Sequence, residues 1–478
     1  MTRCGESTPV NRTSEAISDH PLSQPGELTD AGRGTTLALG QRLRHLYVDQ
    51  LKFMPARISD SDMIYLRATP IPRALESVQQ AFWGLYPPTA RTAAFPAPTI
   101  ITRTPADETL YPNDGNCRRF AQLSRAFAQR AADRWNDGDD MAYLTQLLGK
   151  WMPSSSPKVA VDSRPRLSGI MDTINSTRAH GAATKLPAEF YDAKARTIID
   201  KIACEEWFAG YGESAEYRAL GIGALAGDVV ERMTGSVQRS GRDGVVEVGG
   251  EDGRLGAGRG GEREIKLALS GCHDTTLAAF LASLGAFDGE TWPPYTSHIA
   301  VELFRKAGMS APPARVAKPD ADKSGAGKAG VKGQGWWASL FGTTNTPVDE
   351  GPVPEPEGIA RKPTEMLSER QKRELDGYYV RLRYNDRVMK VPGCRQDGRH
   401  LEGDESFCTL VSAWWFVCAG KGCRVCTSGK WMADNSARRR RSNPSWTSSR
   451  RSAGRRLVRR IWTSRRSRTS RILLDTSE

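Results

Sequence analysis

Two segments of the chain follow the same order of patterns: a short apolar run, a polar turn, and then apolar residues at helical spacing. In the first segment, the run at 62–66 precedes helical spacing over 74–83. In the second, the run at 264–269 precedes helical spacing over 275–284. Each order predicts a strand, a turn and a helix. Repeated units of this kind are typical of α/β proteins.

Ionisable side chains occupy both turns. Arg67 follows the first apolar run, and His273 and Asp274 follow the second. Because ligand sites of open α/β sheets lie beyond the carboxyl ends of the strands, we expect these side chains to share a pocket with Arg3. Guanidinium groups suit a phosphate ester, since they offer paired hydrogen bonds to its oxygens. The alternative is that these residues are solvated on separate loops.

The other regular patterns predict a helix, further strands and a long helical block. Helical spacing runs over 28–51, and β-branched residues at 99–102 between prolines predict a buried strand. Patterns over 117–225 are mostly helical, and strand patterns return at 298–304 and 378–384. A helical block between two α/β halves predicts an inserted cap.

The chain of 478 residues is longer than one hydrophobic core usually spans, so we expect more than one unit. The α/β domain should occupy residues 1–105 and 231–410, and the helical cap residues 106–230. Two stretches inside the second half, near 235–262 and 306–365, are rich in glycine or in Ala, Lys and Pro. They have little to bury and are predicted to be disordered loops.

The net charge of +13 arises from the end of the chain. Residues 411–478 contain 17 of the 68 Lys and Arg residues but only three of the 55 Asp and Glu residues, so the remaining 51 and 52 nearly cancel. We expect this basic tail to be disordered. It is either sequence translated from an intron or out of frame, or a basic arm for nucleic acid or anionic lipid. Apart from the tail, we expect no nucleic-acid partner.

Neither a metal centre nor a membrane segment is predicted. Cys418, Cys423 and Cys426 have the spacing of a plant-type iron-sulfur loop, but the further cysteine of that pattern does not follow them. We therefore expect no metal and no cofactor. The longest apolar stretch, 409–420, is about 12 residues long, whereas a transmembrane helix needs about 20. No signal-peptide pattern precedes Arg3, and the compartment stays open.

Three loops of the chain resemble those of histidine acid phosphatases. Arg3–Pro9 is similar to the family's Arg-His-Gly-x-Arg-x-Pro loop, and Leu66–Pro70 and Ser270–Thr276 resemble its other two phosphate-binding loops. The resemblance covers roughly residues 1–410 outside the two predicted loops. Further segments that carry it are Arg73–Ser77, Gly84–Pro87, Glu108–Leu110, Trp292–Ser297 and Cys394–Cys408.

The resemblance implies a phosphoglycerate mutase-like fold, a three-layer α/β/α sandwich with an inserted helical cap. It also implies hydrolysis of small phosphate monoesters through a phosphohistidine. Arg3, Arg67 and His273 would bind the phosphate, and Asp274 would protonate the leaving alkoxide. For Cys394 and Cys408, it implies a disulfide or a buried pair.

Two residues depart from the family's loop. Cys4 stands at the nucleophile position in place of His, and Ser7 replaces the second Arg. Since removal of a nucleophile costs on the order of 10⁶ in rate in a well-studied hydrolase, we expect impaired hydrolysis. A catalytically inactive binding or scaffold protein is the alternative.

The first loop leaves two further questions open. A Cys4 thiolate is a third possibility, although the next arginine, Arg12, does not give the Cys-x5-Arg spacing of cysteine-dependent phosphatases. Only two residues precede Arg3, so we also expect the central strand of the family to be missing.

Overall fold

The computed structural model describes residues 2–3, 26–181, 184–238, 265–309, 359 and 366–413. Most of the two predicted loops and almost all of the basic tail lie outside these residues. No helix in the described part of the chain combines the length and the apolar character that crossing a bilayer requires.

Four parallel strands form the sheet that carries the predicted site. Its order is β1 (Thr2–Arg3), β4 (Leu267–Cys272), β2 (Ile64–Ala68) and β3 (Ile100–Ile101). All five residues of β2 are buried, and β2 pairs with β3 on one side and with β4 on the other. The prediction of a buried strand at 99–102 is wrong in part, since β3 is a half-buried edge strand.

Strand β4 continues beyond the apolar run that predicted it. The run ends at Leu269, whereas the strand includes Ser270, Gly271 and Cys272. A Cβ atom on Gly271 would lie 2.5 Å from the Val78 side chain. Glycine at this position therefore lets a helix pass close over the sheet.

The expectation of a missing first strand is also corrected. The backbone of Thr2 pairs with Gly271, and that of Arg3 pairs with Cys272. Even two residues therefore form an edge strand, β1, beside β4.

Two helices share one hydrophobic core with strands β2 and β4 of this sheet. They are α1 (Asp30–Arg44), which begins after the capping side chain of Thr29, and α2 (Pro72–Leu85). Their backbones touch, because a Cβ atom on Gly40 would lie 2.0 Å from the Ala81 carbonyl oxygen. The predicted long helix is interrupted after α1, since His45–Gln50 forms a π-helix.

In the described part of the chain, the predicted helical block contains six α-helices between β3 and β4. They are α3 (Arg118–Trp135), α4 (Asp139–Leu148), α5 (Leu167–His180), α6 (Ala193–Glu213), α7 (Ala215–Gly221) and α8 (Gly223–Gln238). Because α8 extends to Gln238, residues 235–238 are helical, although the sequence predicted them as the start of a loop. Helix α9 (Asp274–Ser283) follows β4 and shares one hydrophobic core with helices of this block. The exact domain boundaries stay a prediction.

A second, antiparallel sheet contains the later strands. Its order is β5 (Ile299–Arg305), β6 (Tyr378–Tyr384), β9 (Asp404–Thr409) and β8 (His400–Leu401), and β7 (Arg387–Met389) pairs with β6. Helix α10 (Glu369–Leu375) lies between β5 and β6 in sequence, and α11 (Leu410–Ala413) follows β9. A disulfide joins Cys394 to Cys408, which settles the two alternatives for this pair. The α/β class predicted from the sequence is confirmed.

Candidate active site

Arg67 lies near the carboxyl end of β2 and is only 3% exposed. Its Nη2 atom donates to the Glu108 carboxylate and, over 2.9 Å, to Thr109 Oγ1. Its Nη1 atom lies 3.3 Å from Asp228 Oδ2 on α8. A buried guanidinium is stable only when it is paired, and these three partners fix the side chain.

Arg103 belongs to the same cluster. Its Nη1 atom lies 3.1 Å from the Asp228 oxygen that also faces Arg67. Burial lowers the pKa of Arg103, and the positive charge of Arg67 lowers it further, whereas Asp228 and Glu108 oppose this. The four charges balance. Among the described residues, Nε of Arg67 and both Nε and Nη2 of Arg103 are buried without a hydrogen-bond partner.

The loop at 108–111 connects this cluster with helix α9. Glu108 and Thr109 of this loop accept hydrogen bonds from Arg67. The carbonyl oxygen of Leu110 accepts a 2.6 Å hydrogen bond from Thr276 Oγ1. The ring of Tyr111 lies 6.5 Å from the His273 ring. One short loop thus contacts both Arg67 and the start of α9.

His273 is the N-cap residue of α9. Its Nε2 atom lies 3.0 Å from Thr69 Oγ1, with the donor depending on the tautomer. Thr69 follows β2 and donates its backbone N–H to the Gly271 carbonyl over 3.1 Å. The turn after β2 is therefore joined by one hydrogen bond to β4 and by another to the turn that follows β4.

Asp274 is the first residue of α9, and both of its carboxyl oxygens accept hydrogen bonds. Oδ1 accepts from the backbone N–H of Thr275, and Oδ2 accepts from Trp292 Nε1, each over 2.8 Å. The carboxyl group is thus held at the same sheet edge as His273.

The structure brings Arg67, His273 and Asp274 to the carboxyl edge of the parallel sheet. The backbone of Arg3 lies opposite Cys272, one residue before His273, so Arg3 starts from this edge as well. The side chain of Arg3, and all of Cys4 and Ser7, lie outside what the structure describes.

Sequence reasoning missed five residues of the site: Thr69, Arg103, Glu108, Asp228 and Trp292. Thr69, Glu108 and Trp292 stand in segments that carry the family resemblance, which is the signal that points to them. Arg103 and Asp228 are 125 positions apart, and nothing in either local pattern indicates their pairing.

The described residues contain no group of three or more His, Cys, Asp or Glu side chains arranged to hold a metal ion.

A cavity of about 1240 Å³ lies between α5, α6 and residues 285–295. Its lining includes Trp292 but not Arg67, His273 or Asp274, and it mixes basic with acidic side chains such as Lys201 and Glu205. The candidate site is therefore defined by the ionisable cluster, not by this cavity.

Known proteins resemble this chain over most of its length. A sequence model of the histidine phosphatase superfamily (branch 2) matches residues 17–316. A probable acid phosphatase of Schizosaccharomyces pombe is 35% identical over 386 residues, which cover 80% of this chain and 72% of that protein. Lysophosphatidic acid phosphatase type 6 of Pongo abelii is 25% identical over 284 residues, 59% of this chain and 57% of that protein. The chain thus spans little more than half of this second relative.

Solved structures agree at the level of the fold. The phytase of Hafnia alvei in complex with tartrate has a TM-score of 0.51 at 11% identity, covering 89% of this chain and 96% of that one. The phosphoglycerate mutase-like architecture expected from the sequence is thereby confirmed. The family match begins after Arg3, Cys4 and Ser7, so it does not bear on those positions. From the sequence match and the shared fold, the chain belongs to the histidine phosphatase superfamily, branch 2.

Proposed function

We propose that this protein hydrolyses phosphate monoesters as an acid phosphatase, with Arg3, Arg67, His273 and Asp274 forming the phosphate pocket. The observation that carries the proposal is the 3.0 Å contact between Thr69 Oγ1 and His273 Nε2. It joins the turn that follows Arg67 to the turn that holds the ionisable pair.

The charges of the pocket suit a phosphate dianion only together with Arg3. In the described cluster, Arg67 and Arg103 are balanced by Glu108 and Asp228. Further positive charge must come from Arg3 and from His273 when it is protonated. Convergent cationic donors of this kind bind the phosphate and stabilise the charge that spreads over its oxygens in the transition state.

Asp274 is proposed as the general acid. When the ester P–O bond breaks, its electron pair stays on the leaving oxygen, and that oxygen takes the carboxyl proton of Asp274. A carboxylic acid holds its proton mainly under acidic conditions, so we expect turnover to rise as the pH falls from 7 towards 5.

By the family resemblance, Cys4 stands at the position of the nucleophile. Attack by its thiolate would form an S–P bond as the ester bond breaks, and water would then cleave the S–P bond to release phosphate and restore the thiol. A neighbouring cation such as Arg3 favours the thiolate. Because Ser7 cannot replace the charge of a second arginine, the rate should be low; loss of one charged hydrogen bond costs about 1.5 to 3 kcal/mol.

The test is hydrolysis of a chromogenic phosphate ester between about pH 4 and 6. The wild-type chain is compared with Cys4→His and with Cys4→His combined with Ser7→Arg. We expect low wild-type activity and a stepwise increase. If all three proteins are inactive although folded, the proposal is wrong for this chain.

The second candidate is a binding or scaffold protein that retains the phosphate pocket without turnover. The replacement of His and Arg by Cys4 and Ser7 favours it. It predicts saturable binding of inorganic phosphate by the wild-type chain together with no hydrolysis of any ester.

A further inference from the structure

We propose that Trp292 is a positioning residue, which holds the carboxyl group of Asp274 and connects it with the helical block through α6. This inference rests on the proposed function, because it assumes that Asp274 is the general acid.

Two donors determine the orientation of the Asp274 carboxyl group. The indole Nε1–H of Trp292 donates to Oδ2, and the backbone N–H of Thr275 donates to Oδ1, each over 2.8 Å. Indole is a donor only, so Oδ2 must accept in this contact. With one donor at each oxygen, the plane of the carboxyl group is fixed relative to α9.

Trp292 is itself held by helix α6. Its backbone N–H donates to Asp200 Oδ1 over 2.9 Å. Its ring centroid lies 4.8 Å from that of Phe208 and 6.0 Å, edge to face, from that of Trp207. Trp292 is 9% exposed, so these contacts leave its ring little freedom to move.

Asp200 makes the connection specific. Burial raises the pKa of Asp200, and the hydrogen bond from the Trp292 backbone opposes this shift. The hydrogen bond stabilises the partly buried Asp200 carboxylate, and this stabilisation favours the observed position of the Trp292 backbone. The chain of contacts runs from Asp200 on α6, through Trp292, to Asp274 on α9.

The expected effect depends on the leaving group. An alkyl phosphate needs a proton on its leaving oxygen, whereas a p-nitrophenyl ester releases a weakly basic oxygen that departs without one. Misplacing the Asp274 carboxyl group should therefore slow only the first kind of substrate. A general structural defect would slow both.

The test uses Trp292→Phe, which keeps an aromatic ring in the packing and removes the N–H. We expect kcat/KM for glycerol 2-phosphate to fall about 10- to 100-fold, and kcat/KM for p-nitrophenyl phosphate to change less than about 3-fold. Trp151→Phe is the matched control, since Trp151 is 47% exposed and lies in another part of the helical block. An equal loss for both esters in Trp292→Phe would overturn the inference.

A spectroscopic measurement tests the contact without turnover. In ¹⁵N-labelled protein, the indole N–H resonance that Trp292→Phe removes is followed from about pH 7 to 3, across the range where an aspartic acid titrates. We expect this resonance to shift with pH in the wild type and to lose that shift in Asp274→Asn. A resonance that is indifferent to Asp274→Asn would overturn the inference. Absence of all hydrolysis would count against the proposed function alone.

Discussion

The buried histidine His298 makes the protein less stable in acid, and the size of this effect follows from its surroundings. Its side chain is 4% exposed, and its Nε2 atom lies 3.2 Å from Asp386 Oδ1. Burial lowers the pKa of His298 to about 4, because it disfavours the imidazolium more than Asp386 stabilises it. Asp386 also pairs with Arg42, whose charge lowers the pKa of His298 further.

The direction of the effect follows from the two protonation states. In the unfolded chain the pKa of a histidine is about 6.5, so between pH 6.5 and 4 the unfolded chain binds the proton and the folded protein does not. The free energy of unfolding should thus be at its full value above about pH 6.5 and fall until about pH 4. The two pKa values differ by about 2.5, and each unit corresponds to about 1.4 kcal/mol. The full loss attributable to His298 is therefore about 3.5 kcal/mol, of which about 3 kcal/mol is reached at pH 4, where half of the folded molecules have bound the proton.

Urea unfolding of the wild type and of His298→Gln at pH 7 and at pH 4 measures this loss. We expect the difference in unfolding free energy between the two pH values to be about 3 kcal/mol smaller in His298→Gln. His45→Gln is the control, since His45 is exposed and should leave the difference unchanged. If His298→Gln has the same pH dependence as the wild type, the reasoning about burial is wrong.

Three further substitutions test the packing and the site. Gly40→Ala should destabilise the protein by about 1 to 3 kcal/mol. Gly34→Ala in the same helix, with nothing near its Cβ position, should instead stabilise it by up to about 1 kcal/mol. Thermal unfolding measures both changes, and equal effects of the two substitutions would contradict the prediction. Replacing Cys394 and Cys408 by Ser opens a loop with a sequence separation of 14 and should lower the free energy of unfolding by about 3 kcal/mol. Urea unfolding measures this change, and an unchanged midpoint would contradict the prediction. Thr69→Val removes one hydrogen-bond partner of His273 and should weaken phosphate binding about 5- to 10-fold, measured by calorimetry; unchanged affinity would contradict it.

Strands β2 and β4 of the parallel sheet were predictable because their signals are local. The apolar runs before Arg67 and His273, and the helical spacing after each, lie within about 20 residues of one another. The extension of β4 over Gly271 was not predictable in the same way. There the reason for a small residue is the close passage of Val78, which no local pattern records.

The site was predictable only in part. Arg67, His273 and Asp274 follow strands, so their meeting at one sheet edge could be expected. The pairing of Arg67 and Arg103 with Asp228 depends on where α8 lies in three dimensions. The contact from Trp292 to Asp274 likewise depends on how residues beyond α9 return to its first turn. Neither is a property of a short segment.

The central claim is that loops distant in sequence form one phosphate pocket around Arg67. Titration of the full-length protein with inorganic phosphate, followed by calorimetry at about pH 5, tests it most directly. Arg67→Lys keeps the charge beside Glu108 and Asp228 but loses the paired donors of the guanidinium. The matched control is Arg119→Lys, because Arg119 is exposed and pairs with Glu216 on the helical block. The account predicts that the wild type binds phosphate saturably, that this binding weakens about 10-fold or more in Arg67→Lys, and that it is unchanged in Arg119→Lys. No binding by the wild type, or equal binding by the two variants, would contradict the account.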